Sequence, residues 1–136
     1  MALKAALFDV DGTLVNGNCT RIFLHFLFDH KLISQDDFIL FDRKYKTQTY
    51  PGDDYLEIIS DALKLLSELT LEDFRMYWKD CFDERVRNNL NPLIIDKMHE
   101  YREAGLEIFL TSGSHFELVS LIASEFNAFS IFSSAG

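Results

Sequence analysis

Two acidic residues, Asp9 and Asp11, stand two positions apart after a short apolar run, in the stretch FDVDGTLV. At the end of a strand their carboxylates can share one site, and crowding them there costs free energy unless a cation offsets their repulsion. Oxygen ligands suit Mg²⁺, which often bridges to the oxygens of a phosphate. Gly12 allows a sharp turn after the acids and brings backbone N–H groups near an anion. The spacing therefore indicates a metal-assisted site for an anionic group.

Two alternatives to such a site are a calcium-binding loop and a structural pair of surface acids. A calcium loop that opens at Asp9 would need glycine at position 14 and glutamate at position 20, where the sequence has Leu14 and Thr20. This comparison excludes the calcium loop. The surface pair stays open, although a strand, two acids, a glycine and a threonine in this order favour a site.

A second stretch that could bind an anion spans residues 110–114 and reads LTSGS. Small hydroxyl groups stand here between a predicted strand and a predicted helix, and the N–H groups at the N-terminus of a helix favour phosphate. The alternative is that Ser112 or Ser114 only caps the helix. The stretch by itself does not decide between these two roles.

The elements that must position these residues follow from the hydrophobic pattern. Continuous apolar runs predict strands at residues 4–10, 106–111 and 129–132. Capping residues predict five helix starts: Thr20, Ser34, Thr70, Asn91 (before Pro92) and Ser114. Strands that alternate with helices indicate an α/β fold, here a Rossmann-like parallel sheet of about three strands.

The block between the first strand and the next strand–helix unit is predicted to hold four helices. Two of them start at Thr20 and Ser34, the third spans residues 54–66 after a break at residues 51–52, and the fourth runs from Thr70 to about Arg87. One crossover needs only about a dozen residues, so the block is predicted to be an all-helical cap inserted after strand 1, over the carboxyl edge of the sheet. The predicted domains are residues 1–15 with 91–136 for the sheet and 16–90 for the cap. Six polar residues are candidate substrate contacts, although a solvated surface role is the commoner one for each: Asn16, Asn18, Arg21, Arg43, Lys44 and Lys46.

The stretch FDVDGTLV resembles the first motif of the haloacid dehalogenase (HAD) superfamily, an apolar strand followed by Asp-x-Asp-Gly-Thr. Ser112 and Gly113 resemble the second motif as it reads in the phosphoserine-phosphatase-like branch. In that branch a small helical cap also follows the first motif. The resemblance implies a Mg²⁺-dependent phosphatase that acts on a small phosphorylated metabolite.

Carried over by position, the resemblance makes Asp9 the nucleophile, which forms an aspartyl-phosphate, and Asp11 the general acid and base. It implies that the Asp9 carboxylate and the Asp11 backbone carbonyl bind Mg²⁺, and that Ser112, Gly113 and Gly12 bind the substrate phosphate. These roles for Asp9 and Mg²⁺ are chemically sound, since a carboxylate can be a covalent nucleophile and a metal can neutralise phosphoryl charge. A phosphotransferase would share the same first motif, and this alternative stays open.

The resemblance covers only the front part of a full enzyme of this family. Such enzymes need a later lysine and a further acidic cluster, and between Gly113 and Gly136 the sequence has no Lys, Arg or Asp. Each lost electrostatic contact in a transition state can cost on the order of a hundredfold in rate. We therefore expect weak or absent activity, and the alternative is a non-catalytic HAD-like fragment that binds an anion, a metal or a partner.

The composition of the chain limits the classes of partner that it can bind. A net charge of −9 over 136 residues, without a cluster of Lys or Arg, argues against binding to nucleic acid. No apolar run is long enough to span a membrane, and the start has no cleavable signal pattern. Cys19 and Cys81 match no metal-ligand spacing. We expect a cytoplasmic, reduced protein whose incomplete sheet makes self-association possible.

Overall fold

A computed structural model describes residues 4–47 and 55–132 of the chain. Their elements are β1 (Ala5–Asp9), α1 (Cys19–Asp29), α2 (Gln35–Thr47), α3 (Tyr55–Leu66), α4 (Leu71–Cys81), α5 (Pro92–Glu103), β2 (Glu107–Ser112), α6 (Phe116–Glu125) and β3 (Phe129–Phe132). The chain forms two compact units, Met1–Ile22 with Lys79–Gly136, and Phe23–Trp78. These units divide the chain within α1 and α4. The functional boundaries at 15/16 and 90/91 stay a prediction.

The first unit contains a parallel sheet in the order β1-β2-β3. Asp9 at the end of β1 pairs with Thr111 of β2, and Ser112 pairs with Phe132 of β3. The three strands therefore end at one edge of the sheet, which brings the two polar stretches together. The predicted α/β fold, with a three-stranded parallel sheet and helices inserted after strand 1, is confirmed.

The two faces of the sheet differ in their burial. Side chains of a strand alternate between faces, and along β2 Ile108, Leu110 and Ser112 are buried. Both crossovers step in the same direction along the sheet, and right-handed connections place α5 and α6 on one face. These two helices pack against β2, and α6 also packs against β3. This face holds the apolar core of the first unit.

The opposite face of the sheet presents apolar side chains to solvent. Leu7 is 64% exposed, Phe129 is 54% exposed and Ile131 is 40% exposed. Phe109 stacks on Phe129 with 5.1 Å between ring centroids. An apolar face of this kind favours association with other apolar surfaces, and so does the outer edge of β1, which pairs with no further strand among the described residues.

Helix starts agree with three of the five predicted caps. Ser34 Oγ accepts from Asp37 N, Thr70 Oγ1 accepts from Asp73 N, and Asn91 Oδ1 accepts from Leu93 N. The prediction for Thr20 is wrong, because α1 begins one residue earlier and the Asn18 side chain accepts from Arg21 N at 3.0 Å. The prediction for Ser114 is also wrong, because His115 caps α6.

The helix that was predicted to continue to about Arg87 is an α-helix only to Cys81. A π-helical turn follows at Phe82–Val86, closed by a hydrogen bond from Arg87 N to Phe82 O. Phe82 and Val86 are buried. An apolar pair four residues apart lies on one face of either helix type, so the sequence pattern could not distinguish the two.

The second unit has an aromatic core of its own. Phe23 packs edge-on against Phe74 and Trp78, with ring centroids 5.1 and 5.3 Å apart, and Trp78 is almost fully buried. Lys44 of α2 pairs with Glu57 and Asp61 of α3 at 2.6 and 2.9 Å. The predicted break at residues 51–52 lies outside the described residues. Across the described ranges, no helix combines the length and apolar character needed to cross a membrane.

We expect Leu7→Lys to reduce self-association, because it removes exposed apolar area and places a charge on the outer strand. Binding of a hydrophobic fluorescent dye should fall by roughly half, and the concentration of dimer and larger species in analytical ultracentrifugation should decrease. The matched control is Leu93→Lys on α5, where the leucine is 73% exposed but does not belong to the sheet. Equal effects of both substitutions would show that the sheet face has no special role.

Candidate functional site

The carboxylate of Asp11 accepts three hydrogen bonds from two segments of the first unit. Its Oδ1 accepts from the backbone N–H of Cys19 at 2.8 Å. Its Oδ2 accepts from the hydroxyl of Ser112 at 2.8 Å and from the hydroxyl of Ser114 at 2.5 Å. These bonds hold the orientation of the carboxylate and offset its negative charge.

Ser112 and Ser114 are connected to each other as well as to Asp11. The backbone N–H of Ser114 donates to Ser112 Oγ at 2.9 Å. Both serines are buried, with exposed fractions of 3% and 7%. Ser112 thus accepts on one side and directs its single hydroxyl proton to Asp11. The two polar stretches are therefore in direct contact at the end of the sheet.

Asp9 lies at the same end of the sheet in a different environment. Its side chain is exposed, and its Cα pairs with that of Thr111, the residue before Ser112. Among the residues that the structure describes, no hydrogen bond or ion pair reaches its carboxylate. Its oxygens therefore remain available for a ligand, whereas those of Asp11 are engaged.

The loop after β1 is folded by backbone hydrogen bonds. Gly12 has a φ of +76°, which a side chain would strain, and its N–H donates to Val15 O at 2.9 Å and Gly17 O at 3.1 Å. The glycine makes the predicted sharp turn, but in this structure its N–H is engaged within the loop. Its role as a phosphate donor stays a prediction. A Cβ built on Gly12 or Gly113 would meet no atom within 4 Å, so open space adjoins both backbones.

Burial of Cys19 raises the pKa of its thiol well above the ordinary value of 9.0, and the neighbouring Asp11 carboxylate adds to the increase. Burial also raises the pKa of the Cys81 thiol, to about 12. Both cysteines are free thiols. A protonated Cys19 adds no second negative charge beside Asp11.

Sequence reasoning missed two contributors to the site, Ser114 and the N–H of Cys19. Ser114 was predicted to be a helix cap, but His115 Nδ1 makes that bond by accepting from Glu117 N at 3.2 Å. Burial lowers the pKa of His115, which favours the neutral ring that this bond requires. The signal for Ser114 was its spacing of two from Ser112, with a glycine between them.

Several of the candidate substrate contacts form hydrogen bonds or ion pairs within the protein. Asn18 caps α1, Lys44 pairs with two carboxylates of α3, and Lys46 pairs with Asp42 at 2.8 Å. These bonds agree with the surface role that is commoner for such residues. A role for any of them in binding substrate stays a prediction.

The oxygen atoms at the end of β1 suit Mg²⁺ in kind. The Asp9 carboxylate is exposed, and in the described part of the chain the Asp11 carbonyl accepts no backbone hydrogen bond. Over residues 4–47 and 55–132, no three side chains of His, Cys, Asp or Glu come together as a metal site. Mg²⁺ commonly uses one or two carboxylates and completes its shell with waters and substrate oxygens. The residues present therefore fit part of a Mg²⁺ shell.

The raised thiol pKa predicts a loss of stability at high pH. Below about pH 9 the thiol is protonated in both states, and above it only the unfolded chain ionises readily. The free energy of unfolding should therefore fall as pH rises, by up to about 1.4 kcal/mol per pH unit for this thiol. Denaturant unfolding between pH 8 and 10.5 should show a steeper fall for the wild type than for Cys19→Ala. Equal slopes would mean that Cys19 is not buried as described.

Comparison with known proteins gives a family and two similar folds. The model of the haloacid dehalogenase-like hydrolase family matches residues 6–135. A protein of unknown function from Bordetella pertussis Tohama I has a TM-score of 0.75 at 17% identity, covering 97% of this chain and 60% of that one. A phosphoserine phosphohydrolase-like protein from Francisella tularensis subsp. tularensis SCHU S4 has a TM-score of 0.61 at 20% identity, covering 98% of this chain and 62% of that one.

No curated protein has a significant match to the chain. The chain spans about 60% of the length of the two solved structures. At these identities the two structures show the fold alone. The family model covers nearly the whole sequence, including both polar stretches, and the chain belongs to the haloacid dehalogenase-like hydrolase family.

Proposed function

We propose that the protein is a Mg²⁺-dependent phosphomonoester hydrolase that acts through an aspartyl-phosphate on Asp9. The observation that carries this proposal is the exposed Asp9 carboxylate, at the strand end beside the hydrogen-bonded group of Asp11, Ser112 and Ser114. A nucleophile needs oxygen atoms that are not engaged by the protein. A group that transfers protons needs a held orientation.

In the first step, an oxygen of Asp9 attacks the phosphorus of the substrate while the bond from phosphorus to the ester oxygen breaks. Asp11, which has first taken a proton from the solvent, gives that proton to the leaving alcohol. In the second step Asp11 takes a proton from a water molecule, whose oxygen attacks the phosphorus and releases inorganic phosphate and the free Asp9 carboxylate. Atoms and charge balance over the two steps, and the enzyme returns to its first state.

The phosphate oxygens would be held at the end of β2. The Ser112 hydroxyl can donate to one of them, and the backbone of Gly113 adjoins open space before α6 begins. The same segment precedes the N-terminus of α6, whose dipole favours a negative charge. Asp9 and the Asp11 carbonyl would hold Mg²⁺, which offsets the charge on the transferred group.

A small phosphorylated metabolite is the proposed substrate class. The Francisella tularensis structure of similar fold is described as phosphoserine phosphohydrolase-like. In this chain the helices α1 to α4, which follow β1, are the proposed cap. A cap of this kind excludes water and selects the substrate.

The test of the nucleophile is hydrolysis of p-nitrophenyl phosphate in Mg²⁺ by the wild type and Asp9→Asn. We expect the substitution to lower kcat by about a hundredfold or more, because the amide cannot form the phosphoryl ester. A beryllofluoride adduct, observed by ¹⁹F NMR, should form on the wild type and be absent from Asp9→Asn. The matched control is Asp96→Asn on the exposed surface of α5, which should retain both properties. Activity that survives in Asp9→Asn would exclude Asp9 as the nucleophile.

A separate prediction concerns the metal. Removal of divalent cations with EDTA should lower the rate by about a hundredfold, and added Mg²⁺ should restore it, because the charge on the phosphoryl group is otherwise unbalanced. Ca²⁺ should restore less, since it prefers more ligands at longer distances. A rate that is unchanged in EDTA would contradict the metal-assisted reaction.

A further inference from the structure

We infer that Ser114 is a positioning residue, which holds the Asp11 carboxylate in place when Ser112 turns its hydroxyl to the substrate phosphate. This inference rests on the proposed function, in which Ser112 binds phosphate and Asp11 transfers the proton. It adds a role for a serine that the sequence pattern assigned to helix capping. Ser114 does not cap α6 in the structure, and its side chain is turned to Asp11.

Asp11 and a bound phosphate would compete for the hydroxyl proton of Ser112. A serine hydroxyl has one proton to donate. In the structure it is directed at Asp11 Oδ2, while the N–H of Ser114 donates to Ser112 Oγ from another direction. Ser112 therefore cannot donate to a phosphate oxygen and keep its present bond to Asp11. Binding of phosphate requires the transfer of this hydrogen bond from Asp11 to the ligand.

After that transfer, the Asp11 carboxylate keeps two of its three hydrogen bonds. Asp11 Oδ2 keeps the hydroxyl of Ser114, and Oδ1 keeps the N–H of Cys19. The outer torsion of an aspartate has broad minima, so a carboxylate held at one oxygen can rotate. With Ser114 present, both oxygens of the Asp11 carboxylate stay hydrogen-bonded while Ser112 transfers its own hydrogen bond to the phosphate. The proton-transferring group then has the fixed orientation that efficient transfer to a leaving oxygen needs.

Ser114 is buried beside Asp11. Its side chain is 7% exposed, so water has poor access to replace its hydroxyl. Its own N–H is used by Ser112, which couples the positions of the two serines. Removal of the hydroxyl would therefore leave Asp11 loosely held only in the phosphate-bound state, while in the free state Ser112 still holds it.

The kinetic test compares Ser114→Ala, Ser114→Thr and the control Ser124→Ala on the exposed end of α6. For an alkyl phosphate, whose leaving group needs a proton, Ser114→Ala should lower kcat/KM by about tenfold or more, since kcat/KM reports on the first step and not on the shared hydrolysis of the aspartyl-phosphate. For p-nitrophenyl phosphate, whose leaving group is stable as an anion, the decrease in kcat/KM should be less than about threefold. The inhibition constant of inorganic phosphate should change little, and Ser114→Thr, which keeps a hydroxyl, should recover most of the loss. Equal decreases in kcat/KM for both substrates would overturn the inference, and so would a large rise in the inhibition constant, which would make Ser114 a phosphate ligand.

A second measurement needs no turnover. Amide hydrogen exchange of Cys19 reports on its bond to Asp11 Oδ1. In Ser114→Ala the exchange rate should resemble that of the wild type in the free protein but rise about tenfold in the beryllofluoride complex. The same rate in both variants of the complex would overturn the inference. Absence of the adduct from the wild type would instead overturn the proposed function, so the two failures are distinguishable.

Discussion

The negative charge of Asp11 is the constraint on which the candidate site depends. A part-buried carboxylate needs hydrogen-bond donors in place of the water that it has lost. This one receives them from the start of α1, from the end of β2 and from the loop between β2 and α6. The donors come from residues far apart in the chain, since Ser112 and Ser114 are about a hundred positions from Asp11. The site is therefore formed only when β1 and β2 pair in the observed register.

The parallel sheet explains why the donors are available at that point. Side-by-side strands that run in one direction end at one edge, and the chain there turns into loops and helix starts with unpaired N–H groups. β1 ends in an acid and β2 ends in a hydroxyl, so the edge contains both an exposed carboxylate and a hydrogen-bond donor. Asp9 and Asp11 have the same charge but different surroundings, one exposed and one hydrogen-bonded. This difference in surroundings is consistent with the different roles proposed for the two acids.

Outside the site, each of the two compact units has its own packing. The helices of the first unit bury one face of the sheet, and the opposite face presents Leu7, Phe129 and Ile131 to solvent. The second unit has its own aromatic core and its own ion pairs. Membership of the haloacid dehalogenase-like hydrolase family explains the combination of a Rossmann-like sheet with helices inserted after its first strand.

The sequence by itself determined the fold class, the three strands, most helix starts and the family, because apolar periodicity, capping residues and the Asp-x-Asp-Gly-Thr stretch are local signals. The resemblance of both polar stretches to family motifs also implied that Asp11 and Ser112 belong to one phosphate site. The sequence could not determine that Ser114 bonds to Asp11 instead of capping α6, or that the Gly12 N–H is used within its loop. A serine before a helix is compatible with either bond, and only the tertiary structure decides which acceptor lies within reach. The same holds for the π-helical turn after α4, where an apolar pair four residues apart suits two helix types and the packing of the buried residues decides between them.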